Sequence, residues 1–411
     1  MEKRVRDESW DYQGVDTKEY THGMHPYPAM MIPQVARRLF SEFGVKNGKV
    51  FDPFCGSGTT LVEASISAYD GLNMQAVGSD LNPLARLVSR VKTSVEPTKA
   101  LACYLSNILE VFESSKDEGI RPHVTNMDYW FKESTADELA RLLHSIRVSV
   151  DIQSILDFFL VPFSEVVRAV SLTRDGEFKL FRIAKDKIAD FNPSVIDLFK
   201  KKAERNIAMM SVYSEKRSFA NVSVLDLSAV ESLHPVVSNV DLVVTSPPYG
   251  DSRTTVAYGQ FCRLQSEWLG LQDAKSLDKR LMGGTPSKDF SEHKSKTAQR
   301  IINEIRRIDP RRALDVDAFF LDYALSIENI AKTLASTATV CYVVGNRTVK
   351  DVQIPLDEIT AEHYQLHGLK HDKTIVRAIP SKRMPSKNSP SNKKGMKGTT
   401  MNYEYVVILR K

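Results

Sequence analysis

The chain has 411 residues, 42% of them hydrophobic, enough apolar material for one large domain or for a core that carries an insertion. No apolar run approaches the ~20 residues of a membrane span, and the charged start Met-Glu-Lys-Arg-Val-Arg-Asp-Glu argues against a signal peptide. The four cysteines (Cys55, Cys103, Cys262, Cys341) lie scattered without Cys-x-x-Cys pairing, which argues against a zinc cluster and a disulfide framework and fits a reducing cytoplasm, while the net charge of +5 permits a nucleic-acid partner without requiring one.

Residues 1–22 are polar and read as an arm. His25-Pro-Tyr27-Pro-Ala-Met30-Met-Ile-Pro33 then leads into an amphipathic helix from Gln34 to Phe40, with Pro33 in its first turn. Val50-Phe51-Asp52-Pro53-Phe54-Cys55-Gly56-Ser57-Gly58-Thr59-Thr60 reads as strand, glycine-rich turn, then helix. Gly56 and Gly58 let backbone approach a ligand closely. The turn lacks the lysine of a phosphate-binding loop and is not G-x-G-x-x-G. Gln75 to Asp80 is a second strand ending in an acid, placed to accept two hydrogen bonds from ribose hydroxyls. Asn82-Pro83 opens the next helix, with Leu84, Leu87, Val88 and Val91 on one face.

Residues 97–216 are helix-rich and too long for a simple crossover, so an inserted helical subdomain is expected there. Ser134-Thr-Ala-Asp-Glu138 reads as a capping box, and Asn192-Pro193 as the start of a further helix to about Val212. Between them, Asp175-Gly176 is a hairpin signal. Arg174, Lys179 and Arg182 interleave there with Phe178 and Phe181, a mixture that suits DNA phosphates and base stacking and equally an ordinary exposed hairpin.

Asn221 to Asp226 is the next strand. Asp241 to Thr245 follows as a short buried strand, stopped by Ser246-Pro247-Pro248-Tyr249. Neither proline can donate to a sheet ladder, and a strand that stops abruptly at its carboxyl end is where open α/β sheets bind ligands. The prolines fix φ, so the carbonyls of Ser246 and Pro247 point in set directions beside an aromatic plate. Rigid acceptors beside a plate suit a planar group carrying an NH2, such as a nucleobase edge. The Gly-rich run Gly250 to Phe261 must lie at the same edge, where Arg253 and Tyr258 are candidates to contact DNA or to clamp a base. Residues 273–312 form a basic, poorly apolar excursion, a second candidate for target recognition or a solvated charged face. Asp315 to Leu334 is a helix, and strands at 338–345, 373–379 and 403–409 close the chain, making seven with 49–54, 75–79, 220–225 and 241–245.

The run Asp52 to Thr60 together with Thr245-Ser246-Pro247-Pro248-Tyr249 resembles the S-adenosylmethionine-dependent amino methyltransferases of DNA found in restriction–modification systems. The likeness covers residues 24–95 and 220–261, and more loosely 315–411. Serine at the head of the tetrapeptide resembles the cytosine-N4 branch; the adenine-N6 branch more often carries Asp or Asn there. What the resemblance implies is a Rossmann-like seven-stranded α/β sheet with helices on both faces and an antiparallel last strand. The halves of this core would be residues 1–96 and 217–411, separated by the insertion at 97–216. S-adenosylmethionine would be held by Tyr27, Asp52, Pro53, Phe54, Gly56, Gly58, Thr59, Thr60, Asp80 and Asp226, with Met30 nearby, and Tyr27 and its neighbours equally read as plain capping structure. Ser246, Pro247, Pro248 and Tyr249 would carry transfer to a flipped cytosine, without a covalent intermediate. Arg174, Lys179, Arg182, Arg253 and Tyr258 would face duplex DNA. A restriction endonuclease would be a functional rather than a physical partner, and the protein a cytoplasmic monomer or homodimer without a metal. The glycine turn also resembles tRNA guanine-N2 methyltransferases, but those carry an N-terminal RNA-binding module, and only about 45 residues precede the turn here. A binding subunit without catalysis is a further reading, against which both intact motifs argue.

Overall fold

The structure is a computed structural model that describes residues 3–66, 71–114, 119–217, 221–251, 255–379, 387–388, 398–399 and 401–411. Its frame is a sheet of eight strands: β1 (Arg4–Arg6), β2 (Lys49–Asp52), β3 (Gln75–Ser79), β4 (Val222–Leu225), β5 (Val240–Thr245), β6 (Leu334–Gly345), β7 (Lys370–Ala378) and β8 (Tyr403–Arg410). Their spatial order is β1-β7-β8-β6-β5-β2-β3-β4. β8 runs antiparallel to both its neighbours, and the remaining pairings are parallel. This is the Rossmann-like arrangement expected, with one correction. The polar arm supplies an eighth strand, because Arg4, Val5 and Arg6 lie opposite Thr374, Ile375 and Val376. The arm also buries Trp10 completely.

Strand side chains alternate between two apolar layers, as the two-residue period of a pleated strand demands. Leu242 and Val244 of β5, with Cys341 and Val343 of β6, face one layer; Val243, Val340 and Tyr342 face the other. The first layer is covered by α1 (Pro33–Phe43), α2 (Thr59–Ser65) and α3 (Pro83–Thr93), then α4 (Thr98–Ser114), α5 (Glu133–Ser149), α6 (Gln153–Val170) and α7 (Val195–Lys216), then α8 (Tyr258–Leu269). The helices of 97–216 share one continuous apolar cluster with α1–α3. The second layer carries α9 (Lys296–Ile308), α10 (Pro310–Ala331) and α11 (Leu356–Leu366).

Local details follow from capping chemistry. Asn82 Oδ1 accepts from the Leu84 N–H at 3.1 Å, with Pro83 at the first position of α3. The expected capping box is corrected: α5 starts at Glu133 behind an extended Lys132, so Ser134 already lies inside the first turn and caps nothing. α7 is capped by Ser194, whose Oγ accepts from Asp197 N–H at 3.2 Å, two residues past Asn192. Residues 273–312 are not a poorly apolar excursion, since Ala298, Ile301, Ile302 and Ile305 of α9 are buried in the second layer. Lys296, Arg300 and Arg307 line an open groove on the outside of that helix.

Candidate active site

β2 leads outward through β3 and β4, and the chain then returns to place β5 on the other side of β2. The sheet order reverses between these strands, and ligand crevices in open α/β sheets sit at the carboxyl ends of such a pair. A cleft of about 910 Å³, mouth included, lies there, within the range of small-molecule sites.

Its floor is acidic. Asp52 ends β2, and its Oδ1 accepts from the Thr245 hydroxyl at 2.6 Å and the Phe54 N–H at 3.1 Å, tying the ends of β2 and β5 together. Burial pushes the Asp52 carboxyl up to about 6, against the hydrogen bonds that favour its ionised form. Asp80, just beyond β3, accepts from Gly56 N–H at 2.9 Å and Asn82 N–H at 2.8 Å. Burial raises its carboxyl too, and those two N–H groups pull it back down.

The glycine turn does two separate jobs. Gly56 lines the cleft. Gly58 has φ +84°, and a Cβ there would stand 2.4 Å from Ser89 Oγ, so it permits the close approach of α2 to α3 and does not line the cleft. Thr59 and Thr60 open α2 at the cleft, and the Thr60 hydroxyl donates to Val244 O at 3.2 Å. Pro53 and Phe54 complete this wall.

A second wall comes from the segment before α1. Tyr27, Pro28, Ala29 and Met30 line the cleft. The Tyr27 hydroxyl accepts from Asn82 Nδ2 at 3.1 Å, and Ser57 Oγ lies 3.0 Å from Met30 Sδ. Tyr258 stacks on Tyr27 at 6.0 Å between centroids, with 25° between the planes. As the first residue of α8 it lines the cleft, the place of the base-clamping alternative rather than of an outer DNA contact. The opposite wall, Leu227 to Val230 with Leu281 and Met282, is largely apolar.

Ser246 and Pro248 line the cleft, while Pro247 is buried beside them. Tyr249 stands behind: its hydroxyl is 2.9 Å from Ser246 Oγ and 3.3 Å from Glu404 Oε1. Cys55 also lines the cleft, and burial pushes its thiol well above the ordinary range, so it is protonated and a poor nucleophile at neutral pH.

Asp226 is not in the cleft. Its side chain is 70% exposed and pairs with Arg86 at 2.7 Å, while Arg86 also donates to Asp80 O at 2.7 Å. The hairpin at Asp175-Gly176 forms around a bridge between Thr173 and Arg182. It is seated on α8, with Phe178 6.3 Å from Phe261 and Arg168 over the Phe261 ring while donating to Glu177 O at 2.8 Å. Arg174 is exposed, stacked on Phe181, and Lys179 is half-buried. Arg182 is half-buried, with its guanidinium 4.4 Å from the centroid of the exposed Tyr129 ring. Arg253 lies outside the described residues. Sequence reasoning missed Glu404 as a site residue. Its signal was an acid in an otherwise apolar inner strand, which needs a partner.

Acidic side chains facing a partly apolar cleft fit S-adenosylmethionine. Asp80 has acceptor capacity for ribose hydroxyls, the two carboxylates suit a sulfonium cation, and Phe54, Leu227 and Met282 suit an adenine face. Fold and cleft together define an S-adenosylmethionine-dependent methyltransferase. A DNA methylase family profile matches residues 1–83. The chain is 36% identical, over 441 aligned positions covering 100% of it and 96% of the relative, to type II methyltransferase M.MvaI of Kocuria varians. It is 22% identical to type II methyltransferase M.BsoBI of Geobacillus stearothermophilus, over 62% of this chain and 53% of that one. It is 31% identical to a tRNA (guanine(10)-N2)-dimethyltransferase of Methanothermobacter thermautotrophicus, over 29% of this chain and 33% of that one. The chain belongs to the type II DNA methyltransferase family. Among the described residues no His/Cys/Asp/Glu group could hold a metal ion, and no helix is long and apolar enough to cross a membrane.

Proposed function

We propose that the protein methylates the exocyclic N4 amino group of cytosine in duplex DNA, as the modification half of a restriction–modification pair. The observation that carries this is Ser246-Pro247-Pro248-Tyr249 ending the central strand β5 at the edge of the cleft, with Ser246 and Pro248 in its wall. Serine in place of Asp or Asn supports cytosine over adenine.

An amino group inside a duplex is shielded, so the target base is flipped out at a cost of a few kcal/mol. Tyr249 offers a flat face for stacking, worth about 1–3 kcal/mol per base. Ser246, through its hydroxyl or carbonyl, and the Pro247 carbonyl accept the amino N–H groups. Holding both hydrogens draws the nitrogen lone pair out of conjugation with the ring and aims it into the cleft. The cofactor, when bound, supplies an electrophilic methyl on a sulfonium. Positioning of this kind can contribute ~7–11 kcal/mol of barrier lowering. The raised Cys55 thiol argues against a thiolate route, and direct transfer needs no covalent intermediate.

The test is methyl transfer from labelled cofactor to unmethylated duplex DNA and, in parallel, to unmodified tRNA. Label in DNA that disappears with Ser246→Ala and Pro247→Ala, while cofactor binding survives, is the expected result. Label in tRNA alone overturns the proposal.

A further inference from the structure

The register of the sheet places three residues side by side at the edge of the site. Glu404 of β8 lies directly opposite Gly345 of β6 on one side and Arg377 of β7 on the other. Directly opposed side chains project to the same face of a sheet. A Cβ on Gly345 would stand 2.7 Å from Tyr249 Cδ2 and would also meet the Met401 thioether, so the bare glycine lets both the tyrosine ring and Met401 pack close to the β6 backbone. Beyond it, Glu404 Oε1 receives the Tyr249 hydroxyl at 3.3 Å, while Oε2 is held by Arg377.

Arg377 is itself fixed. Its side chain is 2% exposed, its Nε donates to Trp10 O at 2.8 Å, and its Nη2 donates to Asp11 O at 3.3 Å. Asp11 is clamped by the Ala378 N–H at 2.7 Å and by Arg6 of the edge strand at 2.5 Å. A continuous row of charge-assisted bonds therefore runs from β1 to Tyr249. Bonds of this class are about twice as strong as neutral ones.

Such a row sets the direction of a hydrogen bond as well as a position. A phenol has one proton. Glu404, locked by the Arg377 cation, can only accept, so the Tyr249 proton goes to Glu404. The Ser246 hydroxyl, 2.9 Å from the phenol oxygen, must then donate its own proton to that oxygen. Its lone pairs are left facing outward as acceptors, the polarity an amino group requires.

We propose that Glu404, held by Arg377 and the Trp10–Asp11 turn, is a positioning residue that commits the Tyr249 proton and thereby turns Ser246 into an acceptor for the target amino group. The inference rests on the role given to Ser246 and Tyr249 under Proposed function.

The deciding variant is Glu404→Gln, nearly isosteric. Arg377 claims the amide oxygen, the amide NH2 then faces Tyr249, and the phenol proton swings to Ser246, reversing the polarity. Single-turnover methylation of duplex DNA is expected to fall by roughly 10- to 100-fold, the cost of a mismatched buried polar contact. Cofactor affinity should stay within about twofold of wild type. In a Tyr249→Phe background, where there is no phenol proton to commit, the same substitution should change the rate by less than about threefold, since residues acting through one contact are not additive. A wild-type rate in Glu404→Gln overturns the inference. So does an equal loss in both backgrounds, which would mean Glu404 does not act through the phenol. A parallel loss of cofactor affinity, the mark of a merely structural role, also overturns it. If the wild-type protein itself transfers no methyl to DNA, the site reading fails instead.

Discussion

Replacing Asp80 by alanine removes the acid on which the cofactor end of the cleft depends. Its carboxylate accepts two backbone bonds, from Gly56 at 2.9 Å and Asn82 at 2.8 Å. A carboxylate has about four acceptor positions, so about two remain for ribose hydroxyls. A hydrogen bond to a charged group contributes about 1.5–3 kcal/mol. Part of that is spent on stripping water from a carboxyl already disfavoured by burial, and the net loss for the pair is set at about 2–4 kcal/mol. The dissociation constant for S-adenosylmethionine should therefore rise roughly 30- to 700-fold. Asp80→Asn keeps one acceptor oxygen, but its NH2 cannot accept from a backbone N–H, so it should fall near the lower end. Isothermal titration of both variants, with thermal unfolding to verify that each is folded, reads the effect. A folded Asp80→Ala protein that binds within about threefold of wild type would refute the placement of the cofactor in this cleft.

Three further outcomes follow from buried charges. Asp52 titrates near 6 because of burial, so its carboxylate forms only above that pH; affinity for the sulfonium-bearing cofactor should rise between about pH 5 and 7, and Asp52→Asn should flatten the profile measured by titration. Burial lowers Lys92 to about 7, its Nζ donating to Ser57 Oγ at 3.3 Å. Between about 7 and the ordinary lysine value the unfolded chain holds more protons than the folded one, so stability rises with pH there, by at most ~1.4 kcal/mol per unit. Urea midpoints of wild type and Lys92→Met should converge as pH rises through that window, and parallel curves would contradict this. Asp251, fully buried after the catalytic motif, pairs with Arg312 at 2.8 Å and Arg347 at 3.1 Å; Asp251→Ala removes the carboxylate from the nearly buried Arg347 while Arg312 keeps Asp315, and should cost about 3–5 kcal/mol in chemical denaturation, whereas a loss under about 1 kcal/mol would mean solvent screens the cluster.

What the sequence made legible was the part governed by local chemistry. The apolar runs that became β2 and β5, the glycine turn, the Asn82 cap and the proline stop after Thr245 are each determined within a few residues. The unread parts depend on contacts between distant segments. β1 is only three residues, Arg-Val-Arg, too short to give a strand signal, and it exists because β7 presents an open edge to it. Asp226 ends its strand as Asp80 does, yet it pairs outward with Arg86 of α3. Tyr258 reads as a candidate to contact DNA or clamp a base, and only the packing of α8 against the segment before α1 stacks it on Tyr27. Glu404 reaches Tyr249 only because β8 inserts between β6 and β7. Helix starts were misplaced by one or two residues where capping was ambiguous, as at Lys132 and Ser194.

The most direct measurement of the central claim is mass spectrometry of the nucleosides released from unmethylated duplex DNA after incubation with the protein and S-adenosylmethionine. The site built around Ser246, Pro247 and Tyr249 predicts N4-methylcytosine. N6-methyladenine as the product would contradict the cytosine assignment drawn from Ser246.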